Sequence, residues 1–173
     1  MTLHKVYVDT CIFSKIIDDT FNDDSLYALE AICDNTSIIL QASDKVLEEI
    51  NNTKDKRTKI RLKVIYKLIS KIQRMETKIL KDGFSFPLQF PFIFGHYEED
   101  PFYSDIKEIF TEHDAEQIFN ASKERCDFFL TEDKKTILSR KEKWKKYLQS
   151  NTDLCDLKLV NCLELGDFLK KKS

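Results

Sequence analysis

HDAEQIFNASKERCDFFLTED, residues 113–133, holds the pattern that decides the fold. Ala115, Ile118, Phe119 and Ser122 recur at the spacing of one buried helix face. Asp114 stands just ahead of them, in a position to cap the helix, where an acid is also favoured electrostatically. Asp127-Phe128-Phe129-Leu130-Thr131 then reads as a short strand and runs into Glu132-Asp133. A strand without polar alternation is buried on both faces, the habit of parallel sheets covered by helices. The unit therefore carries an acid at each mouth, beside a strand it must bury.

Three more runs have the same character. Val6-Tyr7-Val8 ends at Asp9, Ser37-Ile38-Ile39-Leu40-Gln41 ends near Ser43, and Leu157-Lys158-Leu159-Val160 lies near the end of the sequence. Helical patterns lie between them. Residues 56–81 carry Ile65, Leu68, Ile69, Ile72, Met75 and Ile79 at helical spacing, residues 134–149 carry Trp144, Tyr147 and Leu148, and Leu163–Leu169 reads as a last short helix. Strands alternating with helices predict an α/β fold, a three-layer α/β/α sandwich around a mostly parallel sheet of four or five strands. At 173 residues this is one domain, long enough to bury a core, with an insertion at about 51–112.

Residues 82–103, DGFSFPLQFPFIFGHYEEDPFY, interrupt the alternation. They hold all three prolines and eight of the twenty aromatic residues, so they read as an apolar loop that must pack on something. Packing on the protein's own core or a subunit interface is the plainer reading; stacking of unpaired RNA bases is the sharper one.

Composition bounds the function. A hydrophobic share of 42% and a charged share of 34% describe a globular chain rather than a disordered one. No apolar run approaches the ~20 residues of a membrane span, and the N-terminus meets Asp9 too early for a signal peptide, so a cytoplasmic protein with no membrane partner is expected. The five cysteines form no CxxC pair, which argues against structural zinc or a disulfide framework. The net charge of −2 hides an asymmetry: residues 54–81 hold eleven Lys/Arg against two acids, and 134–146 hold seven against one. Such segments are either solvated helix faces or a surface for an anionic partner. For RNA, the expected contacts are Lys63, Lys67, Lys71, Lys134, Lys135 and Arg140.

The acids follow the strands. Ligands of open parallel sheets sit at the carboxyl ends of the strands. Asp9 and Asp133 follow their strands there, Asp114 opens its helix, and Glu48-Glu49 lie within two turns of the plausible N-cap Ser43. Each alone reads as a turn residue, a cap or exposed surface. Gathered on one rim, they would repel one another unless a cation offset them, and hard oxygen donors select Mg²⁺ or Mn²⁺. His113, beside Asp114, reads as incidental.

These residues carry a family resemblance. VYVDTCIFSKII resembles the opening strand and Asp of PIN domains; SDKVLEEI is similar to their second motif, pointing to Glu49; HDAEQIFNAS resembles the third; and CDFFLTEDKKTI resembles the fourth, an Asp, an apolar strand, then Thr-x-Asp. LKLVNCLELGDFL resembles the last strand and helix. The likeness covers residues 4–50 and 113–169. It implies Mg²⁺- or Mn²⁺-dependent hydrolysis of RNA phosphodiesters, as in VapC-type toxins of toxin–antitoxin pairs. The implied metal and catalytic residues are Asp9, Glu49, Asp114 and Asp133, with Thr131 as a supporting hydroxyl. An antitoxin and a second copy in a homodimer are the implied protein partners. The chain departs from the pattern in residues 51–112, longer than the compact toxins need, and in Cys11, where the family often has Asn.

Three rivals stand beside this reading. A haloacid dehalogenase type wants a second Asp where Cys11 stands. A non-catalytic PIN-like module would bind RNA or protein through the basic helix and aromatic loop. A plain protein–protein module would use residues 82–103 as its interface and show no salt-dependent affinity for nucleic acid.

Overall fold

The computed structural model describes residues 3–42, 51–60, 62–63, 100–151 and 156–172. Strand β1 (His4–Val8) is followed by helices α1 (Thr10–Asp18) and α2 (Asp23–Cys33), then strand β2 (Ile38–Gln41). Helices α3 (Pro101–Ile109) and α4 (Glu112–Lys123) lead into β3 (Phe128–Leu130). A 3₁₀ turn (Leu138–Arg140), helix α5 (Lys141–Ser150), strand β4 (Lys158–Val160) and helix α6 (Cys162–Lys172) follow. The four strands pair in parallel throughout, in the order β2-β1-β3-β4.

Register turns the apolar runs into two cores. Val6 pairs with Phe128, Tyr7 with Phe129 and Val8 with Leu130; Phe129 and Leu130 pair with Leu159 and Val160. Successive side chains leave opposite faces of a strand. Val6, Val8, Phe128, Leu130 and Val160 pack with Ile12 and Phe13 of α1, Leu29 and Ile32 of α2, and Leu165 and Leu169 of α6. Tyr7, Phe129 and Leu159 pack with Ile106 of α3, Ile118 and Phe119 of α4, and Trp144 of α5. Helices thus cover both faces of the sheet. The Tyr7 and Phe129 rings stack at 5.2 Å between centroids, a cross-strand pair at the centre of the second core.

The stretch 113–133 folds as its pattern predicts, with one correction. Ala115, Ile118, Phe119 and Ser122 are all buried along α4. The helix begins at Glu112, however, and its N-cap is Thr111, not Asp114. Thr111 Oγ1 accepts from the Asp114 N–H at 3.4 Å and donates to Asp114 Oδ2 at 2.7 Å. The helix ends where Arg125 turns left-handed (φ 53°), with Arg125 N–H donating to Ser122 O and Cys126 N–H to Ala121 O. That closure satisfies the last carbonyls and needs no glycine here. Asp127 N–H then donates to Lys5 O, while Asp127 Oδ2 accepts from Lys5 N–H, fastening the start of β3 to β1.

Two other expectations are corrected. Residues 101–103 belong to a helix rather than to the aromatic loop: Asp100 caps α3 by accepting from Phe102 N–H at 3.0 Å, and Pro101 fills the first turn. A proline there loses no intrahelical bond. Tyr103 is 4% exposed and packs edge-on against Phe119, so its ring belongs to the core. The helix expected at 134–149 begins only at Lys141, because Asp133 bends residues 133–136 into a turn. Trp144 anchors α5, its Nε1–H donating to Leu157 O at 2.8 Å. Residues 51–52, 56–60 and 62–63 are helical. Ser43, Glu48, Glu49, Lys67, Lys71 and residues 82–99 of the aromatic loop lie outside the described residues. No described helix is long and apolar enough to cross a membrane.

Candidate functional site

The strand order places a crevice. From β1 the chain passes on one side to β2, and from β3 on the other side to β4. Between β1 and β3 the connections diverge, and at the carboxyl ends of such strands open α/β sheets leave room for a ligand. Asp9 follows β1 there, and Thr131 follows β3.

Asp9 sits at the N-cap position of α1, yet its side chain makes no capping hydrogen bond. It is 4% exposed, and Thr131 Oγ1 donates to its Oδ2 at 2.5 Å. A buried carboxylate is costly unless hydrogen-bonded, so the hydroxyl stabilises it and also fixes its direction. Thr131, fully buried, is held by its backbone N–H on Val160 O at 3.0 Å and by the Asp133 N–H, which donates to Thr131 Oγ1 at 3.0 Å. Cys11 Sγ lies 3.2 Å from Thr131 Oγ1 and accepts from Glu132 N–H at 3.2 Å. Burial first, and then the charge of Asp9, push the Cys11 thiol far up, so it stays protonated. The protonated thiol also hydrogen-bonds to the Asp9 carboxylate.

The Asp133 carboxylate closes its own loop. Its Oδ1 accepts from Lys135 N–H at 2.8 Å and Thr136 N–H at 2.9 Å, and its Oδ2 from the Thr136 hydroxyl at 2.8 Å. Partial burial acts to raise this carboxyl, but the bonds from Thr136 and Lys135 together outweigh it and hold it below the ordinary aspartate value. The side chain therefore shapes the loop that presents Lys134 and Lys135, both exposed.

Asp114, 9% exposed, stands in the first turn of α4. That helix joins the amino edge of β3 at its far end. Its twelve residues, at ~1.5 Å each, run ~18 Å back over the sheet, about the length of a five-residue strand at ~3.3 Å per residue. Topology thus carries Asp114 toward the carboxyl rim. Glu132, which the sequence reading passed over, is buried and accepts from Cys162 N–H at 3.0 Å, capping α6. An acid on the rim just before a helix start was its only sequence signal.

Of the expected site residues, Asp9, Thr131 and Asp133 join one hydrogen-bonded chain, Asp133 through its backbone N–H. Asp114 is tied to Thr111, and Glu49 lies outside the described residues. Among the described residues, no group of three or more His, Cys, Asp or Glu side chains is gathered closely enough to hold a metal ion. Asp9 and Asp114 are two buried hard-oxygen donors of the kind Mg²⁺ and Mn²⁺ take, but the described carboxylates do not complete a site. Lys63 is half-buried on its helical segment, and Arg140 is exposed at the end of the 3₁₀ turn. No family model, curated protein or solved structure matches the chain.

Proposed function

We propose that the protein is a PIN-type ribonuclease, a phosphodiester hydrolase dependent on Mg²⁺ or Mn²⁺. One observation carries the reading: a buried aspartate at the sheet's divergence point whose side chain makes no capping hydrogen bond to α1 and is oriented by a hydroxyl from the neighbouring strand. Asp114, brought toward the same rim by α4, and Glu49 are the further carboxylates of the proposal. An ion held there would lower the pKa of a bound water and offset charge on the phosphate. Thr131 aims Asp9. Asp133 acts through the loop, holding Thr131 Oγ1 with its N–H and turning Lys134 and Lys135 outward to meet the phosphate backbone with Arg140. The toxin role, the antitoxin partner, the homodimer and the cytoplasmic location rest on the family resemblance and composition.

The test is cleavage of single-stranded RNA by the wild type and Asp9→Asn with Mg²⁺, Mn²⁺ or EDTA. Asparagine keeps the acceptor for Thr131 and removes the charge. Cleavage should need the metal and fall at least ~100-fold in the variant, about 2.7 kcal/mol of barrier. Equal rates would remove Asp9 from the site. A second reading, a non-catalytic PIN-like module that binds RNA or protein, is favoured by Asp133, whose carboxylate is spent on its own loop. It predicts RNA binding that persists in EDTA with no cleavage in Mn²⁺.

A further inference from the structure

A cavity of about 380 Å³ opens beside the Asp9–Thr131 pair, walled by α1, the start of α2 and the loop after β3. Lys15, Lys134 and Lys135 line it, together with Ser25, Glu132 and Asp133. The two acids are already engaged: Glu132 accepts from Cys162 N–H, and Asp133 accepts from Lys135 N–H, Thr136 N–H and the Thr136 hydroxyl. The three lysines have no carboxylate within ion-pair distance among the described residues; Lys15 only rests over the Phe21 ring, 5.9 Å from its centroid. Three cations thus line the space against two carboxylates, and the Lys135 charge acts on Asp133.

Two independent features add donors. Helix α2, eleven residues long, starts at the cavity with Asn22 as its cap, so its positive end faces the space. Ser25 is 4% exposed and lines the cavity, where its hydroxyl can turn to a bound group. Asp23 and Asp24, in the first turn of α2, are exposed and do not line it.

We propose that this cavity binds a non-scissile backbone phosphate of an RNA strand, held by Lys15, Lys134 and Lys135 and by the Ser25 hydroxyl at the start of α2. It rests on the ribonuclease reading for the identity of the strand, and its volume is in the range of small-ligand sites, room for a nucleotide around its phosphate. A phosphate seated here would fix which neighbouring phosphodiester meets Asp9. The cavity thus sets the register of the strand.

The experiment measures anisotropy of a labelled single-stranded oligouridylate on the full chain in EDTA, across a salt series. Lys15→Gln/Lys135→Gln is compared with Lys15→Arg/Lys135→Arg and with the surface control Lys170→Gln/Lys171→Gln, exposed and outside both basic segments. Removing two phosphate contacts should weaken binding about tenfold or more and lower the salt slope by about 1.4, at ~0.7 per contact on single strands. The arginine pair should restore both, and the control should change neither. Inorganic phosphate should shift the amide resonances of residues 22–25 in the wild type and not in the glutamine pair. Unchanged RNA affinity in the glutamine pair, an equal loss in the control, or phosphate shifts without an effect on RNA would each overturn the proposal. Absent cleavage in Mn²⁺ with the lysine pattern intact would overturn the ribonuclease reading instead and leave the phosphate site standing.

Discussion

The Thr131 hydroxyl donates to the Asp9 carboxylate across 2.5 Å, linking residues 122 positions apart. Both follow the ends of adjacent parallel strands, and the Val8–Leu130 register sets them side by side. Asp9 N–H also donates to Leu130 O at 3.0 Å, so the ladder continues one step beyond the strand. The pair is a product of sheet register, and a one-residue slip would separate it.

Thr131→Val should therefore destabilise the fold by about 1–3 kcal/mol, because a near-isosteric side chain leaves a buried carboxylate oxygen without its donor. Thr131→Ser keeps the hydroxyl and removes one methyl, a loss of about 0.8 kcal/mol. Urea unfolding followed by fluorescence of Trp144, the single tryptophan and only 2% exposed, measures both. If valine is no worse than serine, the hydroxyl contributes nothing to holding Asp9.

The loop carboxylate gives a prediction with a sign. Asp133 has a folded-state pKa depressed below the ordinary 3.8. Its contribution to stability is therefore fully present above pH 3.8 and is lost as pH falls through the folded value. Asp133→Asn should cost about 1–2 kcal/mol at neutral pH, where the wild type has charge-assisted bonds that the amide lacks. The gap between wild type and variant should close as acid protonates Asp133. Denaturant midpoints across a pH series read this, and a gap that widens in acid would contradict the assignment.

Much of the architecture is legible in the sequence because buried parallel strands announce themselves. The runs at Val6–Val8, Ile38–Gln41, Phe128–Leu130 and Lys158–Val160 have little polar alternation, and the α4 stripe repeats at a helical period. Boundaries slip where a side chain, not a period, sets them. Pro101 reads as a breaker until Asp100 is seen to cap the helix it begins. Residues 134–137 read as helix until the Asp133 side chain is seen to take the N–H groups of Lys135 and Thr136. The same limit governs the site. Asp9 and Asp133 look alike in sequence, each an acid after an apolar strand. One is buried and takes a hydroxyl from the next strand, while the other closes a turn, and only tertiary contacts separate them. Of the lysine-lined cavity the sequence shows Lys134 and Lys135 but not their company, because Lys15, Thr20 and Asn22 meet the β3 loop only after folding.

The contact between α2 and α6 tests how tightly the first core is closed. Gly166 lies on α6 against Ala28 of α2, and a Cβ added at Gly166 would come 3.3 Å from Ala28 Cβ. Two effects oppose each other in Gly166→Ala. Alanine is favoured over glycine inside a helix by about 1 kcal/mol. Against that, Ala28 has no rotamer to move into, so the two helices must separate by a few tenths of an ångström, and overpacking of a core costs about 1–3 kcal/mol. α2 is pinned by Leu29 and Ile32 in the core and α6 by Leu165 and Leu169, so the packing cost should win and Gly166→Ala should destabilise. In an Ala28→Gly background the obstructing methyl is gone, and the same substitution should stabilise by about 0.5–1 kcal/mol through helix propensity alone. The reversal of sign between the two backgrounds, read from a double-mutant cycle in urea, is the expected result. The same effect in both would mean that the helices are not in close contact at this point.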